Sequence, residues 1–136
     1  MKYLDTHAEF SRCGQYRYRL SRTWDRGPTV LWLMLNPSTA DATQNDPTVE
    51  RCERRARSAG YGQLLVANIF ALRSTDPAAL YKHDDPVGSE NDWHIEHLAD
   101  HAELVVCGWG NHGVYRRRGA DVMTKLQAAG YAPHAL

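Results

Sequence analysis

Three short apolar runs, each ending in a polar turn and separated by segments of helical period, constrain this chain most. Residues 30–35 are apolar throughout, 64–70 are apolar except for Asn68, and 104–107 are apolar throughout. A strand that is apolar on both faces must be covered on both, as in the middle of a parallel sheet. The intervening segments read as helices. Asp46 is a good N-cap, Pro47 suits the first helical position, and Val49, Cys52, Ala56 and Ala59 share a face. Glu50–Arg54 and Glu53–Arg57 are favourable pairs four residues apart, and Gly60 stops the helix. Asp76-Pro77 opens a short helix ending near Lys82. Ser89 with Asp92 resembles a capping box that opens a helix to about Ala102. A last helix is predicted over 114–129, with Val122, Met123, Leu126 and Ala129 as its core face and Gly130 as its cap. Residues 131–136 read as a very short fourth strand.

Residues 15–23 alternate, with Tyr16, Tyr18 and Leu20 on one face and Arg17, Arg19 and Ser21 on the other. That pattern predicts a half-exposed edge strand. The expected architecture is therefore α/β: a three-layer αβα sandwich with a mostly parallel four-stranded sheet, plus an N-terminal edge strand. One domain is expected over 1–136.

Composition narrows the partners. Lys+Arg and Asp+Glu are both 16, so the chain is neutral and lacks the overall charge of a basic nucleic-acid or membrane-surface module. With 43% hydrophobic and 24% charged residues, wholesale disorder is excluded. No apolar run approaches the roughly 18–20 residues of a spanning helix, and residues 1–10 lack the apolar stretch of a signal peptide. Cys13, Cys52 and Cys107 form neither a CxxC nor a disulfide framework, so a reduced, cytoplasmic protein is expected.

In a parallel sheet, ligands bind outside the carboxyl ends of the strands. Those ends nominate Asn36, Pro37, Ser38, Thr39 and Asp41 after the first run. They nominate Asn68, Phe70 and Arg73 after the second, and Trp109, Asn111 and His112 after the third. Pro37 fixes its own φ and keeps Asn36 out of the helical region, holding an amide rigidly at a strand end. There it either orients a water or ligand, or simply builds a turn. Asn68 either reads a donor–acceptor edge such as a pyrimidine's or satisfies a neighbouring backbone. Trp109 and Phe70 either stack on a flat ring or cap the core.

His94, His97 and His101 share a helical face, but no Cys or Glu completes a metal pattern, and the stripe reads as a solvated or packing flank. Arg51 and Arg55 on the first helix, with Arg116, Arg117 and Arg118 at the start of the last, suit a phosphate backbone or a solvated face equally. No Gly-rich phosphate loop is present, and no cofactor is implied.

Two resemblances follow. Tyr16-Arg17-Tyr18, residues 35–41, Asp46-Pro47-Thr48, Arg51-Cys52, Gly60-Tyr61-Gly62, Asn68-Ile69-Phe70-Ala71, Asn91-Asp92 and Gly108-Trp109-Gly110 are similar to an uncharacterised bacterial and phage family, domain of unknown function 1643. More distantly, the strand ends resemble the uracil-DNA glycosylase superfamily. Met34-Leu35-Asn36-Pro37-Ser38 is similar to its Gly-x-Asp/Asn-Pro motif, with Met34 in place of the glycine. Residues 64–68 resemble the segment whose Asn reads the base, and Trp109-Gly110-Asn111-His112 resembles Trp-Gly-Ser-His. His134 stands where the family's later His-Pro segment falls, and the wedge loop beyond has no counterpart.

This second resemblance implies an N-glycosidic hydrolase acting on a base in DNA. Asn36, with Ser38 or Asp41, would position water, Asn68 would bind the base, and His112 or His134 would donate to the base oxygen. Pro37, Thr39, Phe70, Arg73, Trp109 and Asn111 would line the substrate site, and Arg51, Arg55, Arg116, Arg117 and Arg118 would hold phosphates. The rival expectation is a module that binds a nucleotide or nucleic acid in the same pocket without cleaving it. Oligomeric state is open.

Overall fold

The computed structural model describes residues 3–135. Its strands are β1 (Asp5–Phe10), β2 (Arg17–Thr23), β3 (Thr29–Met34), β4 (Gln63–Asn68), β5 (Leu104–Cys107) and β6 (His134–Ala135). Its α-helices are α1 (Pro47–Ser58), α2 (Asn91–Asp100) and α3 (Arg118–Ala128). The strands form one mixed sheet in the order β1-β2-β4-β3-β5-β6. The apolar run of β3 lies between β4 and β5 and pairs in parallel with both.

Side chains alternate across the sheet. Leu31, Leu33, Leu65 and Ala67 pack against Ile95 and Leu98 of α2 and Val122 and Leu126 of α3. Val30, Trp32, Leu64 and Val66, with Leu20 of β2, pack against Val49, Cys52 and Ala56 of α1. Each buried leucine contributes roughly 1.5–3 kcal/mol, so the two apolar faces carry much of the fold. The helix predicted after Asp46 forms as read, with the Asp46 carboxylate accepting from Val49 N–H at 2.9 Å.

Four local expectations are corrected. First, β2 is not an edge strand, because β1 pairs with it on the outside and β4 on the inside, both antiparallel. The half-exposed, polar sequence of β1 carries no apolar run to announce it.

Second, Arg17 does not lie outward with Arg19. Glu9 pairs with Arg19 while Phe10 pairs with Arg17, so Tyr18 is an extra residue in β2. Such a bulge shifts the side-chain alternation by one. Arg17 therefore turns to the α1 side with Leu20, and Arg19 turns to α2, donating to His94.

Third, the Ser89–Asp92 capping box does not form. Glu90 occupies the N-cap of α2 with no side-chain bond, and Asp92 turns instead to Arg118 at 2.5 Å and Lys125 at 2.6 Å.

Fourth, the last helix does not start at Val114. Residues Asn111–Arg117 form a 3-10 segment with a break, and Arg116 and Arg117 adopt left-handed φ of 54° and 56°. Two such residues cost about 1–2 kcal/mol each. Packing imposes them. Trp109 lies so close over this turn that a Cβ on Gly113 would meet its ring at 2.2 Å. Just beyond, Arg118 is pinned inside, donating to the Ile69 carbonyl at 2.6 Å.

Candidate functional site

At the carboxyl ends of β3 and β4, the N-terminus of α1 approaches the sheet. Arg17, Asn36, Pro37, Ser38, Asp46, Thr48 and Asn68 line a small pocket there, floored by Met34, Val49, Cys52 and Val66. Its volume of about 30 Å³ holds roughly two water molecules. β4 ends in register with β3, Met34 opposite Asn68, so Asn36 and Asn68 project from neighbouring strand ends. Four predicted site residues are thus brought together: Asn36, Pro37, Ser38 and Asn68.

The two amides are held differently. Asn36 Nδ2 donates to the carbonyls of Pro37 at 3.2 Å and Ser74 at 3.0 Å, tying the β3 loop to the segment after β4. No described residue donates to Asn36 Oδ1. Asn68 is 1% exposed, and its Oδ1 accepts from Arg17 at 3.1 Å. Because a guanidinium only donates, the amide orientation is settled: oxygen toward Arg17, Nδ2 left over. The Asn68 and Ile69 carbonyls accept from Asn91 at 2.7 and 3.2 Å, which fixes the end of β4 from behind.

Arg17 and Asp46 are the functional candidates that sequence reading did not assign. Arg17 is 2% exposed and donates to the Ala40 carbonyl at 3.1 Å and to Asn68, while its Nε has no partner among the described residues. Burial pushes its guanidinium down to about 10, with Asp46 pulling it back up. Asp46 is buried, and its second oxygen accepts from Ala40 N–H at 3.2 Å. The backbone of Ala40 thus bonds to both charges, taking the arginine on its C=O and the carboxylate on its N–H. No direct Arg17–Asp46 ion pair forms among the described residues. Asp46 was legible only as a cap, which it also is; Arg17 was hidden by the bulge.

The remaining predicted residues lie elsewhere. Asp41 turns away into its own loop, its carboxylate accepting from Thr43 and Gln44 N–H; those bonds hold it below the usual carboxylate range. Thr39 is exposed. Phe70 is fully buried against Tyr115 and offers no face to a ring. The chain bends after Asn68, which turns Phe70 into the core on the α2 side. Arg73 donates to the Gly14 carbonyl at 3.0 Å and lines a separate groove of about 460 Å³ with Gln15, Lys82 and His83. Trp109 packs on Gly113 and Gly119.

Asn111 is exposed, and His112 is exposed and bonds Tyr81 Oη at 2.8 Å. His134 is exposed on β6 beside Val106. Neither histidine lines the pocket. Arg51 and Arg55 are exposed on α1, and Arg116 and Arg117 are exposed after β5. Arg118 is the exception among these arginines: buried, and paired with Asp92, it cannot reach a phosphate.

The histidine stripe divides as well. His94 is buried and stacks on Tyr18 at 4.9 Å, so it packs rather than meeting solvent. His97 is exposed and stacks on Trp93 at 4.9 Å. Among the described residues no helix is long and apolar enough to cross a membrane.

Fold and site together define an α/β protein with a polar, charge-bearing pocket at the carboxyl ends of adjacent parallel strands. Residues 17–136 match the family model described as Protein of unknown function (DUF1643), and the chain belongs to that family. No curated protein and no solved structure matches it.

Proposed function

We propose that the pocket binds a nucleobase and that the chain is an N-glycosidic hydrolase, similar to uracil-DNA glycosylases, acting on a base in DNA. The observation that carries this reading is the convergence of Asn36 and Asn68, from adjacent strand ends, on one pocket. The same reading takes the parallel strands β4, β3, β5 and β6 as the core of a three-layer αβα sandwich, with ligand at the strand ends.

Asn36 Oδ1, held by the amide's bonds to backbone, accepts a hydrogen bond from the attacking water; Ser38 stands beside it. Asn68 Nδ2 donates to a carbonyl on the base edge. The exposed Arg51, Arg55, Arg116 and Arg117 supply phosphate contacts on a neutral chain. The base leaves the duplex at a cost of a few kcal/mol, and this reading requires the pocket of about 30 Å³ to widen to admit it.

A second reading, binding of a nucleotide or nucleic acid without cleavage, is favoured by the position of His112 and His134 outside the pocket. One experiment separates them. Labelled single- and double-stranded oligonucleotides carrying uracil, hypoxanthine, mismatched thymine or modified cytosine are incubated with the chain, and abasic sites are scored. Abasic product that disappears in Asn68→Asp supports the hydrolase. Binding without product supports the second reading; steep salt dependence then indicates duplex, and shallow dependence a small nucleotide.

A further inference from the structure

Arg17 and Asp46 are two buried, opposite charges on one pocket that do not pair with each other. Buried charges are ordinarily paired, because an isolated one is costly to desolvate. Here the cation lies on the sheet side, bonded to Asn68 at the end of β4, and the anion lies on the helix side, capping α1. The Ala40 backbone bonds to each, through its C=O to the arginine and its N–H to the aspartate. Arg17 lines the pocket, and its Nε remains buried without a partner among the described residues. The bulge at Tyr18 turns this arginine inward.

A charge-separated pocket suits a reaction that separates charge. When an N-glycosidic bond breaks, both electrons of the C1′–N bond leave with the base, which becomes an anion, and positive charge develops on the sugar. Water then bonds to C1′ through its oxygen. The proton it releases passes through solvent to the departed base, so the products are an abasic sugar and a neutral base. Fixed charges facing these developing charges act without reorganising, which is where electrostatic stabilisation is largest.

We infer that Arg17 is the catalytic cation that receives the negative charge of the departing base, with Asp46 facing the sugar cation. This assignment rests on the hydrolase reading above. It also removes the need for a histidine at the pocket, since the structure provides a permanent cation in its place.

The test uses leaving-group dependence. Oligonucleotides carrying uracil or 5-fluorouracil present the same shape with leaving bases of different acidity. Single-turnover release is measured for the parent chain, Arg17→Lys, Arg17→Met and Asp46→Asn, each checked for folding by thermal melting. Asp46→Asn keeps an acceptor for the α1 cap while removing the charge, and the melting check reads the cost of losing the acceptor for Ala40 N–H. Arg17→Met is expected to slow uracil release by about 100-fold or more and 5-fluorouracil release far less, because the more acidic base needs less help. Arg17→Lys is expected to fall between, and it keeps the assignment testable if Arg17→Met does not fold. Asp46→Asn is expected to slow both bases similarly. Equal slowing of the two bases by the Arg17 variants, or none, overturns this assignment while leaving the hydrolase intact. Release of neither base by the parent chain overturns the hydrolase reading and this assignment with it.

Discussion

The bond between Arg17 and Asn68 gives the sharpest stability prediction. Both side chains are almost fully buried, at 2% and 1% exposure, so bulk solvent has little access to what is removed. Asn68→Ala deletes an acceptor 3.1 Å from a guanidinium nitrogen. Hydrogen bonds to charged groups are worth about 1.5–3 kcal/mol, and stranding the buried donor places the loss toward the upper end, about 2–3 kcal/mol. A chain of 136 residues has an unfolding entropy of about 0.29 kcal/mol per kelvin. The expected fall in Tm is therefore about 7–10 °C, read by calorimetry and checked by urea titration at 25 °C. Asn68→Asp keeps an acceptor for Arg17 and is expected to recover most of that loss, while removing the Nδ2 donor on which base recognition depends. An Asn68→Ala chain that melts within about 2 °C of the parent would refute the reasoning, because the Arg17–Asn68 bond could then not be organising the pocket.

Three further outcomes are expected. Gly62→Ala places a Cβ 2.5 Å from the Asp25 carbonyl oxygen and 2.9 Å from two backbone carbons; it should destabilise by about 1–3 kcal/mol in urea, far from the pocket. His94 titrates below its ordinary 6.5 because burial and then Arg19 disfavour the imidazolium, outweighing the opposite pull of Glu9 and Glu90. Its folded pKa being depressed, the unfolded chain binds the proton more readily, so stability is full above about 6.5 and declines as pH falls below it. His94→Gln should flatten that limb of the urea-midpoint profile. A thiol reagent should modify one cysteine quickly in the native chain and three after unfolding. Cys13 is exposed with its thiol lowered by the Ser11 hydroxyl, whereas burial pushes Cys52 and Cys107 up to about 11.

Much of the fold was readable from local pattern. The runs that became β3 and β4 announce themselves because burial on both faces leaves few polar positions, and β5 does so because it is short and apolar throughout. α1 announces itself because the Asp46 cap, Pro47 and the apolar stripe are all encoded within one turn or two of each other. The glutamate–arginine pairs of that helix form as read, Arg54 with Glu50 and Arg57 with Glu53. Half of the site was also legible, since a polar residue at the end of an apolar strand has few structural reasons to be there. Asn36, Ser38 and Asn68 meet on that account.

Other features were decided only by tertiary structure, because their causes lie far along the chain. Whether β2 is an edge depends on β1, a polar strand that pairs through backbone and needs no apolar signature. Which way Arg17 points depends on one extra residue against Phe10 and Glu9, and a single such residue inverts the face of every side chain beyond it. Phe70 and Arg118 look like a stacking ring and a phosphate ligand in sequence. The bend after Asn68 buries the first, and the Ile69 carbonyl and Asp92 hold the second. The chain alone determined where β3, β4, β5 and α1 and the strand-end pocket between them fall. Only three-dimensional pairing placed an unpaired arginine and an aspartate on opposite sides of that pocket, because a period-two pattern cannot encode the bulge that breaks it.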